Sequence, residues 1–233
     1  MKTLPLQFAG EVLLADAARA IVWPERRSLL ISDLHLGKAQ VFREAGLAMP
    51  EGSDENDLVR LAELIARHAV ERLFLLGDIV HGATTADARW RSVWHRFASG
   101  HRELEIIAVV GNHDRHDRNA LDDSATSVDE FTLGRLRLRH DPVETRRSGA
   151  SIEPEFVVAG HLHPLAVIAD GGRNFRLPCF WLQSSRLILP AFGSTTRGQP
   201  IVAAPGERVI AVTPAGLIEL PNHATARLPA RGR

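Results

Sequence analysis

One pattern, repeated four times, limits what this 233-residue chain can fold into more than anything else in it. A short apolar run ends in a small residue, and a side chain able to bind a metal follows at once. Leu29-Leu30-Ile31-Ser32 leads into Asp33-Leu34-His35, and Phe74-Leu75-Leu76-Gly77 into Asp78. Ile107-Ala108-Val109-Val110-Gly111 leads into Asn112-His113-Asp114, and Phe156-Val157-Val158-Ala159-Gly160 into His161-Leu162-His163. Runs this apolar, with no polar alternation, read as strands buried on both faces. Ligands of open α/β sheets gather beyond the carboxyl ends of such strands. Four strand ends delivering Asp, His, Asn and His to one rim build a site for two metal ions.

Between the runs the period changes. A helix is predicted from Ser53 or Asp54, with acidic residues in its first turn and Leu58, Leu61 and Ile65 on its buried face. A second is predicted over about 87–98, where Trp90, Val93, Trp94 and Phe97 form a packing stripe. Residues 37–52 and 114–127 read as loops, as does 141–155. Residues 11–14 and 20–23 read as short strands. Over 133–140 the chain alternates, so that His140 shares a face with Leu136 and Leu138 while Arg135, Arg137 and Arg139 point the other way. The last third reads as strands over 166–168, 180–182, 187–189, 201–203, 209–212 and 217–220, separated by Gly and Pro turns. The order β-α-β-α-β, then mostly β, gives an α/β class with a parallel sheet and a second sheet packed on it. One domain is expected over 1–220, followed by a flexible basic tail over 221–233.

Composition narrows the function. Lys plus Arg and Asp plus Glu both number 28, so net charge gives no general pull toward nucleic acid or acidic membranes. Cys179 is the one cysteine, which excludes a disulfide framework and a Cys-based zinc site and fits a cytoplasmic location. The start lacks the apolar stretch of a signal peptide, and no segment approaches the roughly 18 apolar residues of a membrane span.

The donors are oxygen and nitrogen with no thiolate, which suits Mn, Fe or Zn, with Mg or Ni also compatible. Asp33 and His35, two apart in an extended chain, face one side. Gly77 before Asp78 lets backbone and ion approach closely. Two ions bridged by a carboxylate can share a water, lower its pKa and hold both oxygens of an in-line displacement at phosphorus.

Taken in order, Asp-x-His, Gly-Asp, Gly-Asn-His-Asp, a lone His and Gly-His-x-His resemble the calcineurin-like metallophosphoesterases. The resemblance spans Asp33 to His163 and implies a calcineurin-like four-layer sandwich of two mixed β-sheets flanked by helices. Within that superfamily, Asp33-Leu34-His35-Leu36-Gly37-Lys38 with Phe42-Arg43, Gly160-His161-Leu162-His163-Pro164, Cys179-Phe180 and Leu189-Pro190-Ala191-Phe192-Gly193 are similar to the bacterial ligase-associated DNA damage response endonucleases (PdeM). The resemblance implies that Asp33, His35 and His163 hold one metal, that Asp78 bridges, and that Asn112, His140 and His161 hold the other. It gives His113 to the substrate as general acid, Asp114 to the orientation of His113, and His81 to the phosphate. It implies a manganese-dependent phosphodiesterase acting on DNA in repair, with an ATP-dependent DNA ligase and a helicase as partners. Two alternatives remain open from the residues: a phosphatase or small-nucleotide hydrolase, and a metal-stabilised scaffold. His113 argues against the scaffold, because a structural metal site has no use for a non-ligating histidine.

Overall fold

The computed structural model describes residues 2–81, 88–143, 156–170 and 172–221. The loop expected over 141–155 lies outside them from residue 144, and the basic tail lies outside from residue 222.

The chain opens with an antiparallel meander of β1 (Thr3–Phe8), β2 (Glu11–Asp16) and β3 (Ala20–Trp23) that leads into β4 (Ser28–Ile31). From β4 the direction is parallel through β5 (Arg72–Leu76), β6 (Glu105–Val109) and β7 (Thr126–Val128). The first sheet therefore runs in simple chain order and is mixed. Its crossovers carry α1 (Lys38–Glu44), α2 (Ser53–His68) and α3 (Arg89–Gly100).

The second sheet follows: β8 (Phe131–Leu133), β9 (Leu136–Leu138), β10 (Phe156–Ala159), β11 (Pro164–Asp170), β12 (Arg173–Leu182), β13 (Arg186–Ile188), β14 (Gln199–Pro200), β15 (Arg208–Thr213) and β16 (Gly216–Leu220). Their spatial order is β14-β11-β12-β13-β10-β9-β8, with β15 on β12 and β16 on β15. This sheet is also mixed, because β10 runs parallel to β9 and β13 while β12 runs antiparallel to its neighbours.

Alternation along the central strands sets the layers. Leu29, Ile31, Leu73, Leu75, Ile106 and Ala108 face α2 and α3, where Leu58, Leu61, Trp90 and Trp94 meet them. Leu30, Phe74, Leu76, Ile107 and Val109 face the second sheet, where Leu138, Val158, Phe180 and Ile210 complete the core. A smaller apolar cluster, with Cys179, Val209 and Ala211, sits on the other face of the second sheet. Burial there pushes the Cys179 thiol up to about 12, so it stays protonated as packing.

Four expectations change. The segment expected as a loop over 114–127 contains 3-10 turns at Asp114–His116 and Asp122–Ser124 and ends in β7, which starts at Thr126. Residues 37–52 are not all loop, because α1 starts at Lys38. Gly37 takes a left-handed turn there, and Asp54 accepts its N–H at 3.0 Å. With Ala39 its one buried residue, α1 has no apolar stripe to reveal it. The alternating segment 133–140 is two strands, folded back at Gly134 (φ 60°) so that Leu133 pairs with Leu136. The predicted faces survive: Leu136, Leu138 and His140 are buried. The strand expected over 201–203 is absent, and pairing falls on Gln199–Pro200.

Candidate metal centre

Five strand ends meet at one edge of the sandwich. Asp33 and His35 follow β4, Asp78 follows β5, Asn112 and His113 follow β6, His140 follows β9, and His161 and His163 follow β10. The turns that carry these residues are not extended chain. Asp33, His35, Asp78, His161 and His163 all have positive φ, half of the ten described non-glycine residues that do. Asp and His tolerate this region better than most side chains, yet each instance still costs about 1–3 kcal/mol and persists only where the surroundings enforce it. Here the turns brace one another. Asp33 donates its N–H to Gly77 O (3.1 Å) and His35 donates its own to Asp78 O (3.0 Å). Asp33 and His35 therefore share a side because of two left-handed residues, not because of an extended run.

Close packing explains the glycines. A Cβ at Gly77 would run into the His140 ring, one at Gly111 into Asp78, and one at Gly160 into the Asp33 carboxylate. At Gly77 it is thus a ligand-type side chain from the other sheet that needs the room.

The donor atoms fall into three groups, two of which share one carboxylate. Donor atoms of Asp33, His35, Asp78 and His163 lie within 4.8 Å of one another, as do those of Asp78, His140 and His161. Asn112 joins the second group through a 3.3 Å contact between its amide and His161 Nδ1. His140 Nε2 is 3.3 Å from Asp78 Oδ1 and 3.0 Å from His161 Nδ1. His163 Nε2 lies 2.9 Å from Asp33 Oδ1 without the alignment of a hydrogen bond.

The donor set fits divalent metal. His35 is buried, yet neither of its ring nitrogens has a hydrogen-bond partner. Two orphaned buried nitrogens are expensive unless a ligand takes one. Burial, together with the charge of Lys38, lowers the His35 pKa to about 2, so the ring is neutral as a ligand must be. Two other imidazoles are oriented from behind: His140 Nδ1 donates to Leu76 O (3.0 Å) and His163 Nδ1 to Arg197 O (3.1 Å), which turns each Nε2 inward. Burial disfavours a charged His140, but the hydrogen bond and charge of Asp78, with Asp33 behind it, raise its pKa to about 9. Burial likewise disfavours the Asp78 carboxylate, and His140 with the N–H of His113 outweighs it, holding Asp78 below the usual carboxylate range.

His113 belongs to the third group, whose donor atoms, from His35, His81 and His113, also lie within 4.8 Å of one another. Half exposed, its Nε2 is 3.9 Å from Asp78 Oδ2, and its ring lies 4.3 Å from that of His81. Burial lowers the His81 pKa to about 4. Asp114 does not have its carboxylate on the His113 ring. One oxygen accepts the N–H groups of Ile79 (2.9 Å) and Val80 (3.1 Å), and the other accepts that of Gly111 (2.8 Å). It clamps the turn after β5 to the turn after β6, and so places His113 through the backbone.

Sequence reasoning missed what lies behind the first group. Residues 190–199 run past Asp33 and His163 and bond them mainly through backbone, so the motif Leu189-Pro190-Ala191-Phe192-Gly193 shows in the sequence but its role does not. The visible traces are Gly193 and Gly198, where a Cβ would strike Leu34 O and His163 O.

Residues 26–181 match the family model of the calcineurin-like phosphoesterases. Among solved structures, the chain is similar to a nuclease, MPE, of Pseudomonas putida, at 34% identity and TM-score 0.73, over 90% of this chain and 96% of that one. It also aligns with YfcE, a phosphoesterase from E. coli, at 18% identity and TM-score 0.45, over 83% of this chain and 97% of that one. No curated protein matches. Among the described residues, no helix is long and apolar enough to cross a membrane.

Proposed function

Because this chain belongs to the calcineurin-like phosphoesterases, and is thereby a metal-dependent phosphoester hydrolase, we propose that it is a dinuclear phosphodiesterase that cuts DNA. The observation that carries this reading is the one carboxylate, Asp78, standing in two candidate ligand groups at once, with His113 Nε2 3.9 Å from it. Asp33, His35, Asp78 and His163 would hold one divalent ion, and Asp78, Asn112, His140 and His161 the other. Imidazole-rich donors suit Mn, Fe or Zn, and we take Mn as the working metal. When bound, such a pair supplies Lewis acidity toward the phosphoryl oxygens and an acidified water.

The chain's own groups do the rest. His113, half exposed at the mouth, donates a proton to the departing oxygen, which carries negative charge as the P–O bond breaks. His81, held neutral beside it, donates a hydrogen bond to a phosphoryl oxygen. Asp114 keeps the Gly111–His113 turn in register with Asp78. Lys38, half buried three residues after His35, adds a fixed positive charge beside the Asp33 and Asp78 carboxylates. The likeness to a nuclease at 34% identity supports a nucleic-acid diester over a small phosphomonoester. A repair setting with a ligase and a helicase rests on the motif resemblance, and co-purification from cells tests it.

Incubation of the Mn-loaded protein with single-stranded and duplex DNA, in parallel with phosphomonoesters and nucleotides, tests the substrate. Cleaved DNA is the expected result. Intact DNA together with rapid hydrolysis of a small phosphoester would move the protein to the phosphatase reading.

A further inference from the structure

The ten residues 190–199 form a strap behind the first ligand group. Phe192 donates its N–H to Ser32 O (2.8 Å) and Gly193 donates its own to Asp33 O (3.1 Å). Six residues on, Gln199 donates its N–H to His163 O (3.0 Å), and Arg197 O receives the His163 Nδ1 proton. Midway, Thr196 Oγ1 accepts from Lys38 Nζ at 3.3 Å. Apart from Lys38, the site residues bonded by the strap are Asp33 and His163, both of the first group.

The strap is itself tied to α2 by a partly buried ion pair. Asp57 and Arg60, three apart and so on one helix face, are bonded at 2.9 Å. Asp57 Oδ2 accepts both the N–H (2.8 Å) and the hydroxyl (3.1 Å) of Ser194. Arg60 donates to Phe192 O and lies with its guanidinium 4.1 Å from the centre of the Phe192 ring. Arg19 adds a weaker bond to Ala191 O (3.4 Å). Asp57 is 4% exposed. A buried ion pair contributes little net stability against an apolar alternative, and its best-attested use is to fix register. Here the register it fixes is that of the chain segment in contact with two ligands.

We propose that Asp57 and Arg60 are positioning residues chiefly for one metal position: through the strap they set the geometry of Asp33 and His163, and so the affinity of the first position, while the second position feels them only indirectly, through the His161 N–H on the Asp33 carboxylate (3.1 Å). The proposal rests on the two-metal reading above. It predicts an asymmetry that a merely stabilising pair would not give, since general loosening of the fold weakens both positions together.

The test is a Mn2+ titration of the metal-free full chain, followed by calorimetry and by the electron spin resonance of coupled and isolated Mn2+. Wild type should bind two equivalents and show a coupled pair. Asp57→Asn keeps the shape of the side chain but removes its charge. It should weaken one equivalent by about tenfold or more, leave the other within about twofold, and give an isolated-ion signal at one equivalent. If Asp57→Asn does not fold, Arg60→Lys is read the same way, because it keeps the charge but loses the Nη2 that donates to both Asp57 and Phe192 O and the flat guanidinium 4.1 Å from the centre of the Phe192 ring. Equal weakening of both equivalents, or no weakening of either, would overturn the proposal. A wild-type protein that binds fewer than two equivalents would instead overturn the two-metal reading.

Discussion

The wall of the site that carries Asp33, His35, Asp78 and Asn112 comes from the first sheet, and the wall that carries His140, His161 and His163 comes from the second. The first supplies every carboxylate, and its turns are laced together by backbone bonds: Asp33 N to Gly77 O, His35 N to Asp78 O, Leu36 N to Ile79 O, and the Asp114 clamp between the turns after β5 and β6. The second supplies imidazoles only. Each of two rings is aimed by a single carbonyl, and the His161 turn is held by its N–H on the Asp33 carboxylate (3.1 Å). One wall is thus pre-assembled and charged. The other is neutral in its ligating form and docks onto the first through the carboxylates that a metal would also use. Asp78 stands where the two meet.

The largest effect should therefore come from the shared carboxylate. Asp78→Ala should abolish binding of both metal equivalents and lower kcat/KM by about 10⁴-fold or more, since metal and water activation fail together. His161→Ala, on the second wall, should cost one equivalent. Metal analysis of the two purified variants makes the comparison, and two equivalents retained by Asp78→Ala would break it. Next is His113→Ala, which removes the group proposed to give a proton to the departing oxygen. Turnover should fall about 10²–10³-fold with both metals retained, and the loss should shrink for a substrate with a good leaving group, because general-acid help is then hardly needed. A uniform loss across leaving groups would remove the proton-donor role.

A smaller effect probes how closely the walls approach. Gly77→Ala puts a methyl group into the His140 ring at a residue with φ 77°. Overpacking and left-handed strain together should cost roughly 3–4 kcal/mol, read by urea unfolding of the metal-free protein. Gly46→Ala is the control, since it carries the strain (φ 80°) but meets nothing within 4 Å.

These residues also show how far the sequence could be read. The first wall was legible because each ligand follows its strand within a few residues, and the strands are continuous apolar runs: Leu73 and Phe74 declare β5 as plainly as Asp78 declares its end. His140 was legible only by its face, shared with Leu136 and Leu138, and the turn at Gly134 did not disturb that parity. Helix α1 was not legible, because it buries one small residue. Nor was the role of Asp114, because a carboxylate that accepts three backbone N–H groups looks in sequence like one that holds a side chain. The strap shows in the sequence only as the motif Leu189-Pro190-Ala191-Phe192-Gly193, and its role was hidden because most of its own bonding groups are backbone, and backbone has no letter.

The smallest effect concerns the proton that balances the walls when metal is absent. The pKa of His140 is raised from 6.5 to about 9 in the folded chain, against its burial, by Asp78 and Asp33. Its contribution to stability is then complete below about pH 6.5 and is lost as pH rises through about 9. Asp78 behaves oppositely: its lowered pKa gives stability that is present above the ordinary carboxylate range and lost as pH falls. Both shifts describe one interaction, so it counts once. Between pH 6 and 9.5 the metal-free protein should lose at most about 3 kcal/mol of unfolding free energy through this pair. His140→Gln keeps the size but not the charge and should flatten the pH dependence. Bound Mn2+ should flatten it too, because a cation then takes the place of the proton between the two walls. A wild-type protein whose metal-free stability is level over this range would mean that the walls are held together by packing and backbone bonds alone.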